Sequence, residues 1–266
     1  MIALRAALAE DIPQLVSLWV ACFREKREAA ELFFERNISY TRGYVAEDSG
    51  KPVAAVYLVD CTLCGERAHY LCGAATLPEY RGGGVMTSLM RFALGDAEKR
   101  GDRFSVLLPA DEGLYDFYAR FGYLALCSES RAEFDCEFYG TPAKGKPELR
   151  RLQRECRRDK FLLWNNKYIE FARDYYACYG AYAAESQNAF ALYERSGDVA
   201  EVFYAIYNDF KELNSLLYAE GIRRFTLCGG ADDPQLRLEC PQKRGMVLPL
   251  ADKKPPQGIY IGLTLS

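Results

Sequence analysis

Histidine is almost missing from this 266-residue chain: His69 is the only one. A zinc site built on several histidines is therefore excluded. Cysteine is not scarce, at ten residues, but Cys61 and Cys64 form a C-x-x-C pair that no second pair follows at zinc spacing. That pair reads as a coincidence at a hairpin tip, and the scattered remainder as reduced thiols serving as small hydrophobes. Long apolar runs are lacking too, since no stretch approaches the roughly 20 residues that cross a bilayer. A secretory leader is also missing: no basic region precedes an uninterrupted apolar block, because Asp11, Pro13 and Gln14 break it. Nor is there an excess of positive charge, with a net charge of -3 that argues against a nucleic-acid backbone as the main partner. Together these absences predict a cytoplasmic protein with no metal, no nucleic acid and no membrane among its partners.

What is present is an ordinary globular composition, half apolar and 27% charged, in a chain long enough for two domains. The Gly, Pro and Lys of "YGTPAKGKPE" predict a linker at 139–147, separating a first domain at 1–138 from a second at 148–266. In the first, "IALRAA" opens as a strand, Asp11 caps a helix to about Phe23, and a second helix covers Glu28 to Ile38. "GYVAED" and "KPVAAVYLVD" form a hairpin around Ser49-Gly50, the second strand lying central because it is apolar on both faces. A strand from about Ala68 to Thr76 leads into "YRGGGVMTSLM". The helix that follows is bounded by Lys99, Arg100 and the stop at Gly101. "RFSVLL" is the next strand, and a short helix spans about Glu112 to Arg120.

The triple glycine, Gly82 to Gly84, admits two readings. It is either a tight turn needing flexible dihedrals or an anion-binding loop, where the unpaired N–H groups and positive dipole end of a helix meet a phosphate. No Lys-Ser/Thr ending makes it a triphosphate loop, and G-x-G-x-x-G cannot be laid on it.

"TLPEYRGGGVMTSLM" resembles the coenzyme A loop of the GCN5-related N-acetyltransferases, Arg/Gln-x-x-Gly-x-Gly/Ala. Arg81 and Gly84 take its first and fourth positions, and Met86 stands where the family usually has glycine or alanine. "LYDFYARFGY" is similar to the family's second segment, F-Y-x-x-x-G-F/Y, with Tyr118 on the tyrosine and Gly122 on the glycine. The resemblance implies an acyl-CoA N-acyltransferase fold, an α+β architecture with a mixed central sheet flanked by helices in α/β-type layers. It implies acetyl-CoA as cosubstrate, with the acetyl group passing directly to an amine of a small molecule or peptide. The pantetheine arm would bond backbone at Ala75, Thr76 and Leu77. Arg81, Gly82, Gly83, Gly84, Val85, Met86 and Thr87 would hold the pyrophosphate, and Tyr118 would protonate the departing thiolate. The general base stays unassigned between Glu79, His69 and a water chain. A rival reading keeps the fold as a coenzyme-binding sensor without turnover.

In the second half, "ELRRLQRECRRDK" is strongly basic, either a solvated helix face or a patch for an acidic group. After it come a helix, "LLWNNKYIEFARDYYACYG", three strands over 181–207, a helix from Asn208 or Asp209, and the strand "RRFTLCG". That order repeats the first half and predicts two tandem copies of one fold. The second has Tyr207-Asn208-Asp209 in place of the glycines and should bind no coenzyme. One competent and one degenerate copy resembles the front part of bacterial enhanced-intracellular-survival acetyltransferases. In that group the terminal carboxylate assists catalysis, which raises the same question for Ser266.

Overall fold

The continuous apolar run from Val53 to Val59 becomes the middle of a strand buried on both faces, as expected of a central strand covered by helices on each side. The computed structural model describes residues 2–37, 40–156, 160–230, 232–236, 240–255 and 257–265. The strand belongs to the first of two units, formed by residues up to Ala125, Met246–Pro255 and Leu265. Numbered along the chain, its strands are β1 (Ala3–Ala6), β2 (Thr41–Asp48), β3 (Lys51–Leu63), β4 (Glu66–Thr76), β5 (Phe104–Leu107) and the late β13 (Met246–Pro249). They lie in the order β1-β2-β3-β4-β5-β13. Only β4 and β5 pair in parallel, as a crossover through helix α3 (Val85–Lys99) requires.

Alternation along β3 divides its side chains between two layers. Ala54, Val56 and Leu58 join Leu89, Met90, Ala93 and Ala97 of α3 in one apolar cluster. Tyr57 turns the other way, into an aromatic group with Trp19 of α1 (Ile12–Phe23) and Phe33 and Phe34 of α2 (Arg27–Asn37), at centroid distances of 5.3–5.5 Å. The α2 reading extended to Ile38, which lies outside the described residues.

The second unit comprises Leu126–Gly245 and 257–264. It holds β6 (Ser128–Asp135), α5 (Leu149–Glu155), β7 (Leu163–Trp164), α6 (Asn166–Ala177), β8 (Tyr182–Ser186), β9 (Ala189–Ser196), β10 (Val199–Tyr207), α7 (Phe210–Ala219), β11 (Arg224–Gly229) and β12 (Gln242–Lys243). Its sheet runs β12-β6-β11-β10-β9-β8. Within it, β8-β9-β10-β11-β6 repeats β2-β3-β4-β5-β13 pair by pair: antiparallel, antiparallel, parallel, antiparallel. The two mixed sheets with flanking helices are tandem copies of one architecture.

The division of the chain differs from the boundaries 1–138, 139–147 and 148–266. The units part after Ala125, because β6 pairs with β11 over six residues of register while Met246–Pro249 returns to pair with β5. The Gly/Pro/Lys stretch is not a connector between units but lies within the second. There Tyr139 N–H donates to Ser215 Oγ and Ala143 N–H to Glu212 Oε1. Composition revealed that this stretch had little to bury, not that α7 would satisfy its amides. Helix α6 also starts later than its apolar approach suggested. Asn165 caps it, accepting from Lys167 N–H at 2.9 Å, and Trp164 is instead held by two hydrogen bonds with the Gln153 amide.

Candidate coenzyme site

Strand β4 carries one more residue than β3 between Tyr57 and Ala55, which face Cys72 and Ala75. This bulge falls at Gly73 and Ala74. Gly73 has φ +61, and a Cβ there would lie 2.4 Å from the Trp19 ring and 2.7 Å from Tyr57. The bulge is thus pressed against the aromatic group on the α1 side. Neither Trp19 nor Tyr57 was singled out from the sequence. The available signal was a glycine inside a strand pattern, which marks a bulge or a close approach.

Just ahead of the bulge the sheet opens. The β4–β5 ladder covers only Ala68–Tyr70 against Phe104–Val106, whereas β4 continues to Thr76. From Leu71 onward one edge of β4 therefore faces a fork. The three residues expected to bond there are not equivalent. Leu77 N–H donates to Val53 O at 3.0 Å and Ala75 pairs with Ala55, so both address β3. By the alternation of an antiparallel ladder, Thr76 turns its backbone toward the fork. Its carbonyl accepts from Arg81 Nε at 2.9 Å.

A 3-10 turn, Pro78–Tyr80, joins β4 to the loop, and the Tyr80 hydroxyl ties it to the β2–β3 hairpin by donating to Asp48 Oδ2 at 3.0 Å. Gly82 and Gly84 then take φ of +78 and +76, a region costly for other residues. At all three glycines an added Cβ would find no atom within 4 Å. The loop is open to its surroundings, so the turn reading accounts for two glycines and crowding within the protein for none. Among the described residues, the first amide after Arg81 with a backbone acceptor is that of Ser88, which donates to Gly84 O at 3.0 Å. The N–H groups from Gly82 to Thr87 thus meet the start of α3 without backbone partners, and the helix dipole adds to them. Met86 is half-buried on the apolar cluster, so its bulk lies against the core. These residues fit a diphosphate: the donors are unspent and the space over them is clear.

Tyr118 sits on α4 (Gly113–Ala119), buried to 7% exposure. Its ring packs on Phe117 and Tyr123. It joins the cluster that contains Leu71 and Leu107, the first residues past the β4–β5 ladder. Burial pushes its phenol up to about 12, with the nearby Cys72 and Asp111 adding to the shift. The group is therefore a protonated donor at neutral pH.

The two base candidates fall elsewhere. Glu79 is exposed on the 3-10 turn. His69 lies seven residues before Thr76, roughly 23 Å along an extended strand, and is fully buried. Its Nδ1–H donates to Asp102 Oδ2 at 2.8 Å, and Arg42 and Arg67 also pair with Asp102. Burial holds the imidazole below its usual range. His69 is a structural residue of the β4–β5 end. Cys61 and Cys64 lie by the β3–β4 turn, one buried and one exposed, and among the described residues no cluster of metal-ligating side chains occurs. Ser266 lies outside the described residues. No helix among those described is long and apolar enough to cross a membrane.

Comparison with known proteins agrees with this fold. Residues 3–125 match the model of the acetyltransferase (GNAT) domain. No curated protein matches the sequence. Solved structures share the architecture at low identity. A conserved protein from Enterococcus faecalis is 15% identical with a TM-score of 0.70, over 94% of this chain and 73% of that one. A GCN5-related N-acetyltransferase from Kribbella flavida is 19% identical with a TM-score of 0.66, over 93% and 70%. Eis1 from Mycobacterium abscessus is 13% identical with a TM-score of 0.66, over 94% and 74%. Residues 3–125 match a GNAT acetyltransferase domain, and the chain as a whole carries the GNAT fold in two tandem copies.

Proposed function

We propose that the first unit is an N-acetyltransferase that takes acetyl-CoA in the fork of β4 and β5 and passes the acetyl group to an amine. Acetyl-CoA supplies the activated thioester. The amides from Gly82 to Thr87 hold its diphosphate, and Thr76 offers backbone to the arm, for which Arg81 must leave the Thr76 carbonyl. The Gly73 bulge aims the β4 backbone into the fork, where a preorganised N–H facing the developing oxyanion contributes on the order of 3 kcal/mol. Tyr118 gives its proton to the departing thiolate, and the proton lost by the amine nitrogen as the amide forms returns through solvent to the phenolate. The second unit binds no coenzyme, and the acceptor is a small-molecule or peptide amine in a bacterial cytoplasm.

The observation that carries this reading is the open row of unpaired amides at the start of α3, next to a fork with a buried, protonated phenol at its root. Calorimetric titration with acetyl-CoA tests it: the wild type binds, and Gly84→Asp, which puts a carboxylate into the cradle, loses affinity at least about tenfold while its melting profile stays cooperative. Equal affinities in the two proteins would remove the loop from the site. Binding without thiol release across a panel of amines would make the protein a coenzyme sensor instead.

A further inference from the structure

The second unit keeps the fork but not the opening. The β10–β11 ladder ends at Val202 opposite Leu227, while β10 continues to Tyr207. Strand β10 also has an extra residue, Phe203, where Val202 and Tyr204 face Tyr193 and Leu192. Bulge and fork thus both recur, with the bulge at the first residue past the parallel ladder where β4 has it at the third. The first residues beyond the ladder are Phe203 and Cys228. The Tyr260 hydroxyl meets both of their carbonyls, at 3.1 and 3.3 Å.

The rest of the segment follows the ring inward. Ile259, Tyr260, Ile261 and Leu263 are all at most 3% exposed. Ile259 and Tyr260 form parallel bridges with Cys127 and Phe161, and the Phe161 ring lies 4.7 Å from that of Tyr260. Close fit is enforced at Gly262, where a Cβ would come within 2.9 Å of the Tyr204 ring. The helix that should receive a diphosphate is closed as well: Asp209 accepts from Lys211 N–H at the start of α7.

We infer that the segment Ile259–Leu263 is an internal ligand of the second unit, with Tyr260 filling the fork that the first unit leaves for its coenzyme. The inference rests on the coenzyme reading of the first fork. The chain then takes one coenzyme, and the second unit serves as a fixed partner whose groove is permanently spent. A carbonyl from each strand shares one phenolic donor, so the plug also pins the two strands at their point of divergence.

Two measurements on the full chain test this. Calorimetry on the wild type should give one acetyl-CoA per chain; two equivalents would overturn the plug. Tyr260→Ala should melt below the wild type, and millimolar p-cresol, which replaces the lost phenol, should raise its melting temperature while leaving the wild type unmoved. A variant that melts like the wild type, or gains nothing from p-cresol, would overturn the proposal. If Tyr260→Ala does not fold, Tyr260→Phe decides: loss of the bridging donor should lower melting by about 2–4 °C, and an unchanged value rejects the bridge. Zero equivalents in the titration would reject the coenzyme reading of the first unit and leave the melting arm to judge the plug.

Discussion

Tyr118 shows how a residue's chemistry follows from its burial. A phenol pushed to about 12 keeps its proton through the neutral range, so it can donate in every turnover. Tyr118→Phe preserves the ring and its packing on Phe117 and Tyr123 and removes only the donor. We expect kcat to fall on the order of 10²–10⁴-fold with coenzyme affinity unchanged in calorimetry. The wild-type rate should show no alkaline limb from this group below about pH 10. The sign for stability follows: the raised phenol favours the folded state fully below the unfolded value near 10, and this support is lost as pH climbs toward 12. Gly73 is the opposite case, a residue whose role lies in what it lacks. Gly73→Ala puts a methyl 2.4 Å from the Trp19 ring at φ +61, so overpacking and a left-handed backbone both count against it. Urea unfolding should register a loss of about 2–5 kcal/mol. Gly83→Ala, with open space and no positive φ, should change stability by no more than about 0.5 kcal/mol. The glycine loop and "FY" segment were legible because motifs report local backbone chemistry. The role of Gly73 was not, since no strand pattern states which ring occupies the space beside it.

At the scale of elements, α3 and α7 occupy matching places and differ in how they begin. Helix α3 starts from Gly84, with no side chain to cap it, and its first amides have no backbone acceptor. Helix α7 satisfies its own start through Asp209, and Tyr139 and Ala143 bond to Ser215 and Glu212 on its flank. Removing that cap by Asp209→Ala should cost about 1 kcal/mol in chemical denaturation. It should add no coenzyme binding in calorimetry, because the glycine loop is absent and Tyr260 still fills the fork; a second coenzyme in this variant would show that the aspartate alone kept the ligand out. The Asp209 start of α7 and the continuous apolar run of β3 were readable from the sequence, whereas the Asp11 carboxylate accepts from Arg5 and from Leu8 N–H instead of capping α1. Strands β6 and β13 were not readable. "SESRAEFD" carries charge on much of its length and gains strand character by pairing with β11 and β12, and "MVLP" is too short to declare itself without β5.

The same two strands govern the whole molecule, because each unit's sheet is completed by chain that a linear division assigns to the other domain. All four residues of β5 are buried, and β13 covers one of its edges. A fragment of residues 1–138 keeps β5 without that cover and adds β6 without its partner, leaving two strand edges open to aggregation. The chain itself suggests the repair. Leu124 and Val247 form an antiparallel bridge, each N–H donating to the other's carbonyl at 2.8 and 2.9 Å, so Ala125 and Met246 lie where a tight turn can join them. Residues 1–125 connected through a two- or three-residue Asn-Gly turn to 246–255 should be soluble, melt in a single cooperative transition and bind acetyl-CoA. The 1–138 fragment should elute as aggregate in size exclusion or show no sharp melt by circular dichroism. If the linear 1–138 fragment folds cooperatively and the rejoined chain does not, the late strand is dispensable and the first unit ends where composition, rather than strand pairing, would place its boundary.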